Sequence, residues 1–168
     1  MRNIQIREIK QMSEYDLSKL ALLLMDVVED GASVGFLSPI SLKVAKEYWI
    51  SVLSKGVMIW IAEIEGAIVG TIQLHLCQKQ NGRHRGEIAK LMVHSSVRRC
   101  GVGKKLMEIS EKRAIAEGIS LITLDTRSGD ASNLLYKSFE YIEVGKIPNY
   151  AESTNGQLHE TTFYYKKL

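Results

Sequence analysis

One continuous stretch, from Gly86 to Ala114, constrains this chain more than any other part of it. It begins with an apolar run that is typical of a buried strand, and a short polar turn follows. The segment Arg98–Lys104 then leads directly into residues whose apolar members recur at i, i+4 and i+7, the spacing of one helix face. The sequence therefore predicts a strand, a glycine-containing loop and a helix in immediate succession.

The loop before this helix has the chemistry of an anion site. Glycine lets the backbone approach a bound group closely, and the first N–H groups of a helix point outward at the positive end of its dipole. Basic side chains add charge at the same place, namely Arg98, Arg99, Lys104 and Lys105. We therefore expect a ligand that carries phosphate.

Spacing excludes two common nucleotide-binding loops. Gly103-Lys104 is followed by Lys105, and no glycine lies five residues before Gly103, so the segment is not a Walker loop. The pair Gly101 and Gly103 lacks the third glycine of a dinucleotide loop. The remaining pattern, R-x-x-G-x-G at Arg98, Gly101 and Gly103, resembles the pyrophosphate loop of the GNAT acetyltransferases, which bind acetyl-CoA.

A second signature lies nearer the end of the chain. Leu124-Asp125-Thr126 closes a short apolar strand, and Leu135–Tyr141 resembles the second GNAT motif, L-Y-x-x-[FL]-x-[FY]. Its order and spacing argue against the alternative for the loop, a glycine turn with a solvated basic rim. The family resemblance runs from about Val57 to the end. Four segments also resemble GNAT enzymes that acetylate an amino-acid-like β-lactam toxin: 31–36, 76–82, 87–93 and 150–168.

The resemblance implies a role for each matching residue. The strand that ends at Val93 would pair with the pantetheine arm, and the loop after it would hold the pyrophosphate. Tyr136 stands where the family has a tyrosine that protonates the leaving thiolate, and Glu87 and Asp125 match the acidic positions that take the proton of the amine. The implied cofactor-binding residues are Leu91, Met92, Val93, Arg98, Arg99, Cys100, Gly101, Val102, Gly103 and Lys104.

Each implied catalytic residue has a structural alternative, and one position departs from the family. Glu87 could be a solvated strand end, Asp125 a cap or turn residue, and Tyr136 a half-buried helix tyrosine. Many GNAT enzymes have an asparagine that contacts CoA seven residues before the tyrosine. That position is Gly129 here, and Asn133 does not replace it by register. The CoA contacts of this segment therefore stay open.

Length and patterning predict the fold class. The 168 residues suit one domain, and the apolar periodicities give the order βααβββαβαββ. We expect residues 1–168 to form a single α/β (α+β) GNAT domain. Its central sheet would be mixed, mostly antiparallel and built from about seven strands, with helices on both faces.

Composition narrows the classes of partner. The net charge of +3 argues against a dedicated nucleic-acid binder. Cys77 and Cys100 lack metal spacing, and no run has the length of a signal peptide or membrane span. We expect a soluble cytoplasmic protein without metal. The family resemblance implies a homodimer, with the tail 150–168 near the interface as an edge strand that is covered. Four residues are interpreted as surface or loop histidines: His75, His84 (also a weak candidate for the acceptor pocket), His94 and His159.

The function that these features favour is acetyl transfer to the primary amine of a small amino-acid-like molecule, such as a toxin or antibiotic. An α-amine with pKa about 8 is roughly a tenth neutral at pH 7, whereas a lysine amine with pKa about 10.4 is neutral at below one part in a thousand. A weak carboxylate base therefore suffices for an α-amine. Two alternatives remain: acetylation of protein N-termini or lysines, and a non-catalytic CoA-binding regulatory module.

Overall fold

Seven strands and four helices follow one another along residues 3–168, the part of the chain that the computed structural model describes. The strands are β1 (Ile4–Glu8), β2 (Val57–Ile64), β3 (Ala67–Leu76), β4 (Arg85–Val93), β5 (Leu121–Arg127), β6 (Ile142–Glu152) and β7 (Leu158–Lys167). The helices are α1 (Glu14–Glu29), α2 (Leu42–Val52), α3 (Val102–Ala116) and α4 (Ser132–Ser138). The predicted order of elements is confirmed.

The strands form one open sheet in the order β1-β2-β3-β4-β5-β7-β6. Its strand pairs are antiparallel except for β4 and β5, which run parallel with α3 as their crossover. The predicted mixed, mostly antiparallel sheet is therefore confirmed. Helices α1 and α2 cover one face, around Trp49, Ile59 and Ile61, and helices α3 and α4 cover the other, around Leu106 and Leu124.

Local sequence signals explain where the first two helices begin. Ser13 caps α1 by accepting a hydrogen bond from the backbone N–H of Asp16 at 3.0 Å, as its position predicts. Ser41 caps α2 in the same way. The buried indole of Trp49 donates to the Leu20 carbonyl at 3.0 Å, which fastens α2 to α1. Both helices are thus fixed over the sheet before the functional strands begin.

The C-terminal hairpin differs from the prediction in two ways. Strand β6 continues to Glu152, although residues from Pro148 onward suggested a loop. A proline is tolerated there because β6 is the edge strand, and Asn149 absorbs the register shift with φ of 55°. The tail is not an edge, because β7 inserts between β5 and β6. At this end of the sheet the edge strand is therefore β6, and β1 is the edge strand at the other end.

Within residues 3–168, none of the helices combines the length and the apolar character needed to cross a membrane.

Candidate active site

The parallel strands β4 and β5 separate soon after they pair. Their register covers Arg85 with Leu121, Gly86 with Ile122, and Glu87 with Thr123, and it ends there. Further along, β4 pairs only with β3 and β5 only with β7. A strand gap therefore opens between β4 and β5 beyond Glu87 and Thr123. Backbone groups of β4 that face the strand gap have no strand partner in the described part of the chain, so an extended ligand can bond there as another strand would.

The three residues implied to hold the pantetheine arm lie at the far end of this free edge. Leu91, Met92 and Val93 close β4, and Val93 is paired on its other side with Gly70 of β3. The register between β3 and β4 shifts just before them, where Lys90 has φ of 52°. This bulge re-aims the strand as it approaches the loop before α3.

Residues 98–104 comprise the loop before α3 and the first residues of that helix, and they present backbone donors. Gly101 is the N-cap of α3 with φ of 86°, a left-handed conformation that favours glycine, and no side chain caps the helix. A Cβ on Gly103 would lie 3.3 Å from Cδ2 of Leu135, so the close packing of α3 against α4 favours glycine there too. The first-turn N–H groups of α3 are thus available to an anion.

Two basic side chains of this segment have acidic partners. Arg98 forms an ion pair with Asp30 at the end of α1, and Lys104 lies 3.9 Å from Glu108. Cys100 is a free, exposed thiol. Lys105, which was expected to add charge at the loop, instead donates to the carbonyl of Ile4 at 3.2 Å. We therefore propose that the anion site rests on the backbone and side chains of residues 98–104, without Lys105.

The structure brings Glu87 and Asp125 to one face of the sheet. Glu87 is paired with Thr123, and Asp125 lies two residues further along β5, so alternation points both side chains to the α1–α2 face. Both remain accessible to solvent, yet desolvation by the surrounding protein raises the pKa of each carboxyl. For Glu87 the charge of Asp125 adds to the rise. We call these two residues the acidic pair.

Tyr136 lies on the opposite face of the sheet. It belongs to α4, is 6% exposed, and packs with Leu124 and with the rings of Tyr141 and Tyr164, each 6.1 Å away between centroids. Burial raises the pKa of Tyr136 well above its ordinary value, and the charge of Asp125 raises it further. The phenol is therefore protonated at neutral pH, and it lies close enough to β5 for the charge of Asp125 to act on it.

Sequence reasoning missed a polar network beside the acidic pair. The fully buried Gln73 of β3 donates to the hydroxyl of Tyr48 at 2.9 Å, and its oxygen lies 2.8 Å from Nε2 of His75. Phe36 packs edge-on against Tyr48, with centroids 5.2 Å apart. His75 is thus a partly buried strand residue and not a surface or loop histidine, and desolvation lowers its pKa. Glutamine inside the apolar strand β3 was the signal available in the sequence.

The segment that lacks the family asparagine is rigidly built. Gly129 has φ of 86°, and a Cβ there would meet nothing within 4 Å. Asn133 is engaged inside the protein, because its amide donates to the carbonyls of Arg127 and Asp130 and its oxygen accepts from Tyr164 at 2.7 Å. Asn133 therefore holds α4 against β5 and β7.

His84, the histidine considered for the acceptor pocket, lies at the start of the parallel strand pair. His84 precedes β4, where its carbonyl accepts from the N–H groups of Ser120 and Leu121, at 3.0 and 3.2 Å. This contact joins the starts of β4 and β5.

Among residues 3–168, no cluster of three or more His, Cys, Asp or Glu side chains has the arrangement of a metal site.

A gap between parallel strands, a glycine loop at a helix N-terminus and paired acids beside the gap define an acyl-CoA-dependent transferase class. The sequence profile of the acetyltransferase (GNAT) family matches residues 37–141. The chain belongs to this family. It is an N-acetyltransferase that uses acetyl-CoA as its acetyl donor.

Solved structures share the whole fold. A ribosomal-protein-alanine N-acetyltransferase from Brucella melitensis superposes with a TM-score of 0.82 at 22% identity, over 98% of this chain and 99% of that one. YncA from Salmonella typhimurium, solved with its cofactor acetyl-CoA, gives 0.80 at 17% identity, over 98% and 94%. A candidate phosphinothricin N-acetyltransferase gives 0.79 at 17% identity, over 99% of both chains.

Proposed function

We propose that this enzyme transfers the acetyl group directly to the primary amine of a small amino-acid-like acceptor, such as a toxin or antibiotic. One observation carries the proposal: the acidic pair and Tyr136 lie on opposite faces of the sheet at the strand gap. A thioester held in the strand gap would meet its nucleophile from one face and release its sulfur toward the other.

The acidic pair would serve the incoming amine. Its nitrogen forms a bond to the thioester carbonyl carbon and must lose a proton as the tetrahedral intermediate forms and collapses. Glu87 and Asp125 accept that proton, directly or through water. Desolvation raises the pKa of both carboxyls, which makes them better bases than ordinary carboxylates.

Tyr136 would serve the departing sulfur. When the carbon–sulfur bond breaks, the electron pair stays on sulfur, and a buried phenol can donate a hydrogen bond to that developing thiolate. A thiol is a stronger acid than this phenol, whose pKa burial raises, so complete proton transfer is uphill. The contribution of Tyr136 therefore begins with stabilisation of the negative charge.

The enclosure of the acceptor side favours a small molecule. The acceptor loop, residues 31–40 between α1 and α2, places Phe36 against Tyr48. At Ser38 its N–H donates to Oγ1 of Thr154 in the turn between β6 and β7, at 3.0 Å. The α1–α2 face is thus bridged from the acceptor loop to the C-terminal hairpin. A protein acceptor needs an open groove, and this bridge narrows the opening on the α1–α2 face.

Three likenesses bear on the acceptor. Segments 31–36, 76–82, 87–93 and 150–168 resemble the tabtoxin resistance protein, a GNAT enzyme that acetylates an amino-acid-like β-lactam toxin. One fold neighbour is a candidate phosphinothricin acetyltransferase, and another acts on alanine of a ribosomal protein. The first two support an amino-acid-like acceptor, and the third keeps a protein N-terminus as the alternative.

Thiol release from acetyl-CoA tests the proposal. The panel contains amino acids, aminoglycosides, polyamines, and peptides with free N-termini or lysines, and mass spectrometry of the product locates the acetyl group. We expect turnover with amino-acid-like amines that Asp125→Asn strongly reduces. Turnover only with peptides would support the protein-acceptor alternative. Tight acetyl-CoA binding without turnover on any amine would support a non-catalytic module.

We also propose a homodimer in the cytoplasm. Strand β6 has an unpaired edge of eleven residues, and apolar side chains on it are exposed, including Ile142, Val144 and Ile147. A long apolar edge is normally covered, and a second copy is one such cover. Cys77 and Cys100 are both free thiols, which suits a reducing compartment.

A further inference from the structure

Lys90 is a cation inside an otherwise apolar part of β4. It follows Ala89, precedes Leu91, and sits at the bulge where its own φ is 52°. The side chain is partly buried, and desolvation lowers the pKa of its ammonium. Within residues 3–168 it forms neither an ion pair nor a side-chain hydrogen bond. A partly buried ammonium without a partner is costly, so its retention calls for a ligand.

The ammonium of Lys90 reaches the acceptor side of the site. Its Nζ lies 3.4 Å from the point where a Cβ on Gly35 would be, an ordinary contact distance, so the ammonium reaches the acceptor loop. The titratable groups around it are the acidic pair and His75, whose pKa the charge of Lys90 lowers. The carboxylates of Glu87 and Asp125 interact with Lys90 at a distance but do not form an ion pair with it.

We propose that Lys90 binds an anionic group of the acceptor, a carboxylate in the first instance, while the acidic pair receives the acceptor's amine. This inference rests on the proposed function and deepens it. The charges of Glu87 and Asp125 act on Lys90, so a cationic and an anionic contact lie in the same part of the site. An α-amino acid has the complementary pair of charges in a compact arrangement. A peptide N-terminus has an amide at the same place, and it offers no charge to Lys90.

The decisive comparison uses matched acceptors that differ in one group. Each L-amino acid that is acetylated is assayed beside its carboxamide, which keeps the amine nitrogen and loses the negative charge. Because loss of that charge also lowers the pKa of the amine, kcat/KM is calculated per neutral amine. A hydrogen bond to a charged group is worth enough to change binding by about ten- to a hundredfold. We therefore expect kcat/KM of the wild-type enzyme to favour the acid by at least about tenfold. Equal values for acid and carboxamide would overturn the inference.

Lys90→Met removes the charge and keeps most of the side-chain length. It should lower kcat/KM for acids by about ten- to a hundredfold and leave carboxamides within a few fold. Lys90→Arg should restore part of the preference for acids. Lys43→Met, on the exposed surface of α2, is the matched control. It should leave kcat/KM unchanged for both acids and carboxamides. Should Lys90→Met not fold, Lys90→Asn is the substitute, because asparagine tolerates positive φ.

The results separate this inference from the proposed function. If Lys90→Met lowers kcat/KM equally for acids and carboxamides, Lys90 only compensates the negative charge of the acidic pair. The inference about Lys90 then fails, while the proposed function stands. The inference is also overturned if the enzyme acetylates only amines that lack an anionic group and accepts no amino acid. No transfer to any amine by protein that binds acetyl-CoA overturns the proposed function as well.

Discussion

Glu87 and Asp125 face the same side of the sheet from two neighbouring strands that separate between them. Strand pairing ends at Glu87 and Thr123, and Asp125 projects two residues beyond that point. Because parallel strands normally stay paired over most of their length, the early separation is what makes room for an acyl donor between the carboxylates and Tyr136. The predictions below follow from this geometry.

Gly101 should be essential for acetyl-CoA binding. Acetyl-CoA at a hundredfold over Kd should stabilise the wild-type fold by about 2.7 kcal/mol. Gly101→Val places a branched side chain at the N-terminus of α3 and should abolish the rise in melting temperature that acetyl-CoA causes. Gly118→Val is the matched control, because Gly118 also has positive φ and open space at its Cβ but lies at the other end of α3. An equal ligand-induced rise in both variants would contradict the assignment of the loop.

The acidic pair should matter most at low pH. An α-amine has pKa about 8, so at pH 6 it is mostly protonated and a base is needed, whereas at pH 9 it is mostly neutral. Asp125→Asn and Glu87→Gln should each lower kcat by about 10²-fold at pH 6 and by clearly less at pH 9. The measurement is the pH profile of acetyl transfer to an acceptor from the panel. A loss that is independent of pH would assign these residues to positioning.

The same substitutions should stabilise the protein at neutral pH. The native pKa of Asp125 is raised above its ordinary value of 3.8, so its ionised form destabilises the fold at any pH above the raised value. Asp125→Asn should therefore raise Tm at pH 7. The gain should shrink as pH falls through the raised pKa and vanish below about 3.8. Glu152→Gln at the exposed end of β6 is the control, and a lower Tm for Asp125→Asn at pH 7 would disprove the prediction.

Tyr136→Phe should impair chemistry without impairing donor binding. The ring and its packing are kept while the phenol is lost, and a positioned proton donor is typically worth about 10²–10⁴-fold in rate. We expect kcat to fall by that order with acetyl-CoA affinity within a few fold. Tyr141→Phe is the matched control, because its ring neighbours Tyr136 while its hydroxyl interacts with Glu111. Full turnover by Tyr136→Phe would leave water as the proton donor.

The β6 edge should carry the homodimer. Val144 is 67% exposed on β6, so Val144→Lys should not disturb the monomer's core, yet a buried charge at a paired edge would oppose association. Light scattering should show a dimer for the wild-type protein at micromolar concentration and a monomer of 18.9 kDa for the variant. A wild-type monomer, or a variant that still forms dimers, would contradict this arrangement.

Local patterns in the sequence were enough for the order of elements and for both motifs. Helix caps such as Ser13 and Ser41 act over a few neighbouring residues, and so does the alternation of apolar residues. Both signals can therefore be recognised in the sequence without knowledge of the fold. The Gly101 loop and the Tyr136 motif can be recognised for the same reason, because each is a contiguous segment of the chain. From them followed the fold class, the cofactor and the kind of reaction.

Only the tertiary structure decided how these pieces meet. The end of pairing at Glu87 depends on the register of strands more than thirty residues apart in sequence, and the insertion of β7 beside β5 is equally non-local. The bulge that aims Lys90 at the acceptor loop and the contact of Gln73 with Tyr48 arise from packing between separate elements. Such contacts join distant residues, and no local spacing in the sequence records them.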